Sequence, residues 1–323
     1  MPLNDLPLEQ LRAYRPDVAE PGDFDEFWAR TIAEARSFDL PVQVAAAVTP
    51  INQLIVEDVT FPGFGGEPIK AWITRPLTGA DSLPTVIEYQ GYNGGRGLPG
   101  ERVIWALSGY VHVLMDTRGQ GSGWGTGGDT PDPHGSGPAS AGFMTRGILD
   151  PENYYYRRLF TDAVRLVDAV KSLSFVDAGR IAVTGGSQGG AIAVAVAGLV
   201  HDLVAVMPDV PAHAHFRRAM EITTSDPFLE LVRYLSVHRD HEEAVFRTLS
   251  YFDGVNFARR ITVPARFSVA LMDDIVPPST IFAAYNHLDS APEKEIDVYA
   301  FNGHEGGLMY QWLRQAAWLE PRI

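Results

Sequence analysis

Arg180-Ile181-Ala182-Val183-Thr184-Gly185-Gly186-Ser187-Gln188-Gly189-Gly190-Ala191-Ile192-Ala193-Val194-Ala195-Val196-Ala197-Gly198-Leu199 decides how the rest of this chain is read. Its first five residues read as a buried strand, and the run from Gly190 to Leu199 is long enough for a helix. A serine in a glycine-flanked turn from strand to helix is the setting of a nucleophile elbow. Such a turn pushes the side chain outward, while the helix behind it offers free N–H groups and a positive dipole end. Gly185 and Gly189 keep the turn free of clashes, and Gly190 lets the helix pack close to the sheet. The competing reading is a helix-capping serine; the strand and helix on either side favour the elbow.

Outward from that stretch, the chain alternates short apolar strands with helices. Strands are expected at Thr85–Tyr89, Val111–Met115, Arg180–Thr184, around Ala205–Met207, at Ala265–Ala270 and at Glu295–Tyr299. Arg158 to Leu173 has an amphipathic helical pattern, and a last helix runs from about Gly307 to Leu319. This rhythm predicts a mostly parallel sheet flanked by helices, with chemistry on loops at the C-terminal strand ends. Ahead of it, residues 5–15 read as surface and Asp23 to Arg36 as a helix burying Phe24, Phe27, Trp28 and Ile32. Val42–Val48, Leu54–Phe61 and Ile69–Arg75 read as an antiparallel edge to the sheet. Residues 212–250 break the rhythm with helices at His213–Thr223, Phe228–His238 and Glu242–Leu249, an insertion over the active-site edge that forms a cap or an oligomer surface. No linker marks a boundary, so one domain over 1–323 is expected. The Gly/Pro/Asp-rich loop Gly119 to Gly142 is long enough to carry function.

Composition narrows the class. At 323 residues and 46% hydrophobic content the chain can bury a large core. A net charge of −14 argues against nucleic acid as partner. With no cysteine, disulfides, thiol nucleophiles and thiolate metal sites are excluded. The first residues lack the pattern of a signal peptide and no stretch is long enough to span a membrane, so a cytoplasmic location is expected. There is no zinc-protease motif: His304-Glu305 is followed by Leu308, and His241-Glu242 by Val245, where histidine is required. No phosphate-cradling G-x-x-x-x-G-K-[ST] occurs, and Gly119-Gln120-Gly121-Ser122-Gly123 lacks the helix that a dinucleotide loop needs. No metal or cofactor is expected.

A serine hydroxyl needs a base, and strand-turn-serine-helix proteins order their groups as Ser, acid, His. Met272-Asp273-Asp274-Ile275 follows the Ala265–Ala270 strand, and Asn302-Gly303-His304-Glu305 follows the last strand. His304 is the expected base and Asp273 the expected acid, with Asp274 as its alternative. His112, His213, His215, His238, His241 and His287 compete less well, although His213 and His215 follow a strand end. Backbone N–H groups of Gln188 and Tyr92 are the expected oxyanion donors, the latter from the glycine-rich loop Gln90–Gly95. Trp124, Phe216 and Tyr92 are candidate sugar contacts, and Trp105 reads as core.

Several segments together resemble one family. Asp116-Thr117-Arg118-Gly119-Gln120-Gly121, Gly185-Gly186-Ser187-Gln188-Gly189-Gly190 and His304-Glu305 are similar to the acetyl xylan esterase and cephalosporin C deacetylase family, carbohydrate esterase family 7. So are Gly142–Gly147, Tyr154–Arg158, Asp209-Val210-Pro211, His215–Arg218, Phe246–Asp253, Pro277–Thr280 and Ala283–Asn286. The resemblance implies an α/β-hydrolase fold. It places the nucleophile on Ser187, the acid on Asp273, the base on His304 and the oxyanion donors on Tyr92 and Gln188. It implies deacetylation of short xylo-oligosaccharides and cephalosporin C, no metal, and a cytoplasmic hexamer built as a trimer of dimers. Arg118 is expected to support the site structurally. Pro211, His213, Trp124 and Phe216 are expected in the substrate pocket. Three departures stand out: Val276 where relatives often have cysteine; Ala212-His213 where they have a larger apolar pair; and a short Asp132–Ala141 stretch. These leave the acyl length open, with a broad short-chain carboxylesterase, or a peptidase of the same fold, as alternatives.

Overall fold

The computed structural model describes residues 5–77, 82–134 and 141–323; the end of the loop expected to carry function, at 135–140, lies outside them. Among the described residues nine strands form one sheet. In chain order they are β1 (Gln43–Ala46), β2 (Leu54–Pro62), β3 (Pro68–Pro76), β4 (Leu83–Tyr89), β5 (Val111–Met115), β6 (Val176–Gly186), β7 (Ala205–Asp209), β8 (Ala265–Ala270) and β9 (Lys294–Tyr299). Their order in space is β1-β2-β3-β5-β4-β6-β7-β8-β9. The first three are antiparallel to one another, and β3 pairs antiparallel with β5. From β5 to β9 every pairing is parallel. Strand order therefore reverses between β5 and β6, about β4, and crevices at such points receive ligands at the carboxyl ends of strands.

Alternation along the central strands feeds two cores. Ile87, Ile181, Val183 and Val206 face the larger one, and Val86, Ala182, Ala205 and Met207 the smaller. Aromatic side chains of the helix Phe24–Arg36 and of Tyr155–Lys171 fill the larger core. Trp105, Tyr110 and Trp318 close the smaller one. The helix Gln188–Leu199 is apolar all round and buried along nearly its whole length, wedged between the sheet and the helix Gly254–Ala258.

Some expectations shift. Residues 5–15 contain a helix, Leu8–Arg12, that buries Leu11, and Asp5 accepts bonds from Ser279 N (2.7 Å) and Arg218 Nη2 (3.0 Å). One turn with one buried residue leaves no periodic signal. β1 is shorter than Val42–Val48 and wholly exposed. The helix expected from His213 begins at Phe216, because His213 and His215 both have positive φ (55° and 47°). The Tyr155–Lys171 helix is buried on almost every side, charged residues included.

Those charges are paired. Arg118 has no exposed side-chain surface; it forks onto Asp162, at 2.5 and 2.8 Å, and reaches Glu67 at 2.6 Å. Asp132 accepts from Arg158 at 2.8 Å and adjoins Arg118 at 3.4 Å. Burial alone pulls the Arg118 pKa down, but these carboxylates more than offset it, and the net shift is upward. Removing one partner of such a pair strands the other charge without water. Asp162→Ala is expected to cost about 3–5 kcal/mol, read as a lower urea midpoint at unchanged m-value.

Candidate active site

β6 ends at the elbow. Ser187 sits at φ 58°, ψ −120°, a conformation that side chains avoid. Its N–H donates to Asp209 O at 2.9 Å, and its carbonyl accepts from Ala212 N at 3.0 Å. A Cβ on Gly189 would stand 2.1 Å from Tyr89 O, and one on Gly185 2.5 Å from Gly189 C, so neither position admits a side chain. Gln188 opens the helix, which leaves its N–H among the donors without an intrahelical acceptor.

The loop after β8 carries Asp273, whose side chain is fully buried. Its Oδ1 accepts from Ile275 N (2.9 Å) and Val276 N (2.8 Å), and its Oδ2 faces His304 Nδ1 at 2.8 Å. His304, after β9, brings Nε2 to 2.9 Å from Ser187 Oγ. The carboxylate can only accept, so the proton of the neutral ring belongs on Nδ1 and Nε2 is left free to accept from the hydroxyl. Asp274 instead offers its backbone carbonyl to Thr223 Oγ1.

Tyr92 follows β4. Its carbonyl accepts from Trp124 Nε1 (2.6 Å), and its hydroxyl donates to Glu230 Oε1 (2.6 Å) while accepting from Phe143 N (2.6 Å). Glu230 also accepts from Met144 N at 3.0 Å. Burial raises the pKa of both Glu230 and Tyr92, and the carboxylate beside Tyr92 adds to the rise there. Gln120 Oε1 accepts from Asn93 N at 2.7 Å. Gln120 and Gln188 also exchange amide bonds, at 3.0 and 3.2 Å. Tyr155 OH donates to Arg118 O at 2.6 Å, so the buried arginine anchors the segment that presents Gln120. Glu230 was not anticipated from the sequence, and of the Arg118-Gly119-Gln120-Gly121 element, expected to support the site, only Arg118 was singled out; Glu230 is buried within the inserted helix Phe228–Val237.

Ser187, His304, Tyr92, Trp124, Pro227 and Ile275 line a cavity of about 510 Å³. Pro211, His213 and Phe216, expected in the pocket, lie behind it. His213 is buried, edge-on to Tyr156 and stacked on Phe216, and burial holds its pKa down to about 3. The Ala212-His213 departure therefore changes the packing behind the elbow rather than the wall of the cavity. Pro211 instead abuts the Gly190 turn of the helix.

The family profile described as acetyl xylan esterase (AXE1) matches residues 1–321. The chain belongs to the acetyl xylan esterase family. An acetyl xylan esterase from Paenibacillus sp. R4 is 40% identical and superposes with a TM-score of 0.92, covering 98% of this chain and 100% of that one. Acetyl Xylan Esterase 1 from Thermoanaerobacterium sp. JW/SL YS485 is 32% identical, with a TM-score of 0.89 over 98% of this chain and 99% of the other. The acetyl esterase Axe7A of Xylanibacter ruminicola is 26% identical over 90% of this chain, which spans 65% of that relative's length. The fold is that of the α/β-hydrolases, and the family is one of serine-type carboxylic ester hydrolases. No helix among the described residues is long and apolar enough to cross a membrane.

Asp209, at the end of β7, touches Ser268 Oγ (3.2 Å) and Gln315 Nε2 (2.8 Å). Burial pushes its carboxyl up from 3.8 to about 7, against the pull of both hydrogen bonds. Below the ordinary carboxylate range both folded and unfolded chains hold this proton. Between there and about pH 7 only the folded chain does, so stability falls as pH rises through that window. Asp209→Asn is expected to flatten most of that fall, on the order of 4 kcal/mol, in urea unfolding across the window. A lesser fall remains from Asp253, raised by burial to about 6.

Proposed function

We propose that this chain hydrolyses acetyl esters of short xylo-oligosaccharides, and of related small molecules such as cephalosporin C, through an acyl-enzyme on Ser187. The observation that carries the reading is the unbroken hydrogen-bonded line from Asp273 through His304 to Ser187, opening on the cavity. The substrate class is drawn from the family and from the names of its relatives. Ser187 Oγ attacks the acyl carbon while His304 Nε2 takes its proton. The tetrahedral oxyanion is held by the N–H groups of Tyr92 and Gln188. Collapse expels the sugar hydroxyl, which leaves with the proton from His304. Water, deprotonated by the same nitrogen, then releases acetate and restores the serine. Asp273 keeps the ring in the productive tautomer and stabilises the imidazolium. Tyr92, Pro227 and Ile275 supply an apolar lining for the methyl of the acyl group.

Ser187→Ala is expected to lower kcat for acetylated xylo-oligosaccharides by about five to six orders of magnitude, and Asp273→Asn by about four. Activity should fall from acetyl to propionyl to butyryl esters, each methylene weighing roughly 1–3 kcal/mol. Better turnover of longer esters would make the chain a broad carboxylesterase, and amide cleavage a peptidase. Turnover surviving Ser187→Ala would refute the serine mechanism.

We further propose a homo-hexamer, a trimer of dimers, in the cytoplasm, on the strength of the family resemblance. The physical support is an apolar surface beside the site. Leu308, Met309, Tyr310 and Leu313 stand exposed on the helix Leu308–Leu319, with Phe301 on the loop before it. Light scattering should give six chains for the wild type, and Tyr310→Glu combined with Leu313→Glu should give a smaller species.

A further inference from the structure

A second cavity, of about 250 Å³, adjoins the first and shares Glu88, Arg102, Gly186 and Asp209 with it. Gly186 directly precedes the nucleophile, so a group held here lies within reach of a ligand held at Ser187. The polar groups among its walls are held by hydrogen bonds. Glu88 accepts from His112 Nε2 at 2.9 Å and from Arg102. Burial lowers the His112 pKa to about 4, so that ring is a neutral donor. Gln315 holds Asp209 from the final helix. The indoles of Trp105 and Trp312, 5.5 Å apart and inclined at 66°, form an apolar corner.

We propose that this side cavity is a subsite for the alcohol portion of the substrate, taking an uncharged pyranose ring next to the ring that bears the ester. The inference rests on the esterase reading above and adds where the sugar lies. A pyranose offers hydroxyls that both donate and accept, which suits carboxyl, amide and guanidinium groups together, and C–H faces that suit indole. Tyr92, Pro227 and Ile275 of the first cavity serve the acyl end, so the side chamber falls to the alcohol end. Charge selects a neutral ring: the carboxylates of Glu88 and Glu101 face one guanidinium, Arg102, which Glu88 already engages, and the buried Asp209 adds no cation. A ring carrying a carboxylate meets like charge in a partly desolvated chamber. Glu88, His112, Asp209 and Gln315 stand on β4, β5, β7 and the last helix, and Glu88 ties down Arg102 from the connection that follows β4.

The test compares kcat/KM for acetylated xylose, acetylated xylobiose and 4-nitrophenyl acetate. The two-ring ester is expected to exceed the one-ring ester by about tenfold or more, through KM. Ile104→Trp, which fills the side cavity from its wall, should bring that ratio close to one relative to 4-nitrophenyl acetate. A two-ring ester bearing a uronic acid should be about tenfold poorer than its neutral counterpart, with the gap narrowing at high salt. A wild-type ratio near one overturns the subsite while leaving the esterase intact, and needs no variant to fold. A ratio unmoved by Ile104→Trp also overturns it. Equal or better turnover of the uronic ester overturns its neutral character. Absence of turnover on all three esters removes the esterase reading and the subsite with it.

Discussion

The left-handed backbone at Ser187 is the constraint around which this molecule is organised. A non-glycine residue held at φ 58° and ψ −120° is strained by about 1–3 kcal/mol. It persists only because its surroundings permit nothing else. The strand before it is buried on both sides, and the helix after it is wedged within the core. Asp209 O and Ala212 N grip the residue's own N–H and carbonyl. The reward is directional. The hydroxyl leaves the turn toward His304 while the Gln188 N–H stays unpaired within the helix, so the attack and the charge stabilisation proposed above would share one rigid corner.

A second layer keeps the loop of Tyr92, the proposed second oxyanion donor, in register with that corner. Gln120 binds both Gln188 and the backbone of Asn93, which ties the turn after β4 to the turn after β6. Gln120 is held in turn by the segment that Arg118 anchors to Asp162. From the far side Glu230 clasps the Tyr92 hydroxyl and Met144 N, so the inserted helices brace the site as well as contributing Pro227 to its wall. Small shifts in a hydrogen-bond donor weaken oxyanion stabilisation steeply. Buried amide and carboxylate clamps are a costly but stiff way to prevent them.

What the sequence revealed follows the same division. Ser187, Asp273 and His304 could be nominated because each falls on a loop just beyond a recognisable parallel strand, where the fold gathers such groups. The choice between Asp273 and Asp274 could not come from strand position. It is made by the N–H groups of Ile275 and Val276, which turn the first carboxylate inward. The contacts of Gln120 and the part played by Glu230 stayed hidden because their partners are 68 and 138 residues away, and no local period encodes such a contact. His213 misled for a related reason. Its place after a strand end points to a pocket, but a left-handed backbone turns the ring into the aromatic core.

The two cavities divide according to what their strands can offer. The first cavity, proposed to take the acyl end, borrows Pro227 from the inserted helices and Ile275 from the loop that carries Asp273, and both are apolar. At the other end the parallel strands expose Glu88, Thr184 and Asp209, with His112 from β5 behind them. Polar residues on central strands are costly unless each finds a partner. Here Glu88 has Arg102 and His112, Thr184 Oγ1 donates to Met207 O at 2.7 Å, and Asp209 has Ser268 and Gln315. A protein that needed only to close its sheet would place apolar residues at these positions at lower cost. A satisfied polar wall beside Ser187 is the arrangement that the proposed hydrolysis, with a leaving alcohol rich in hydroxyls, would call for.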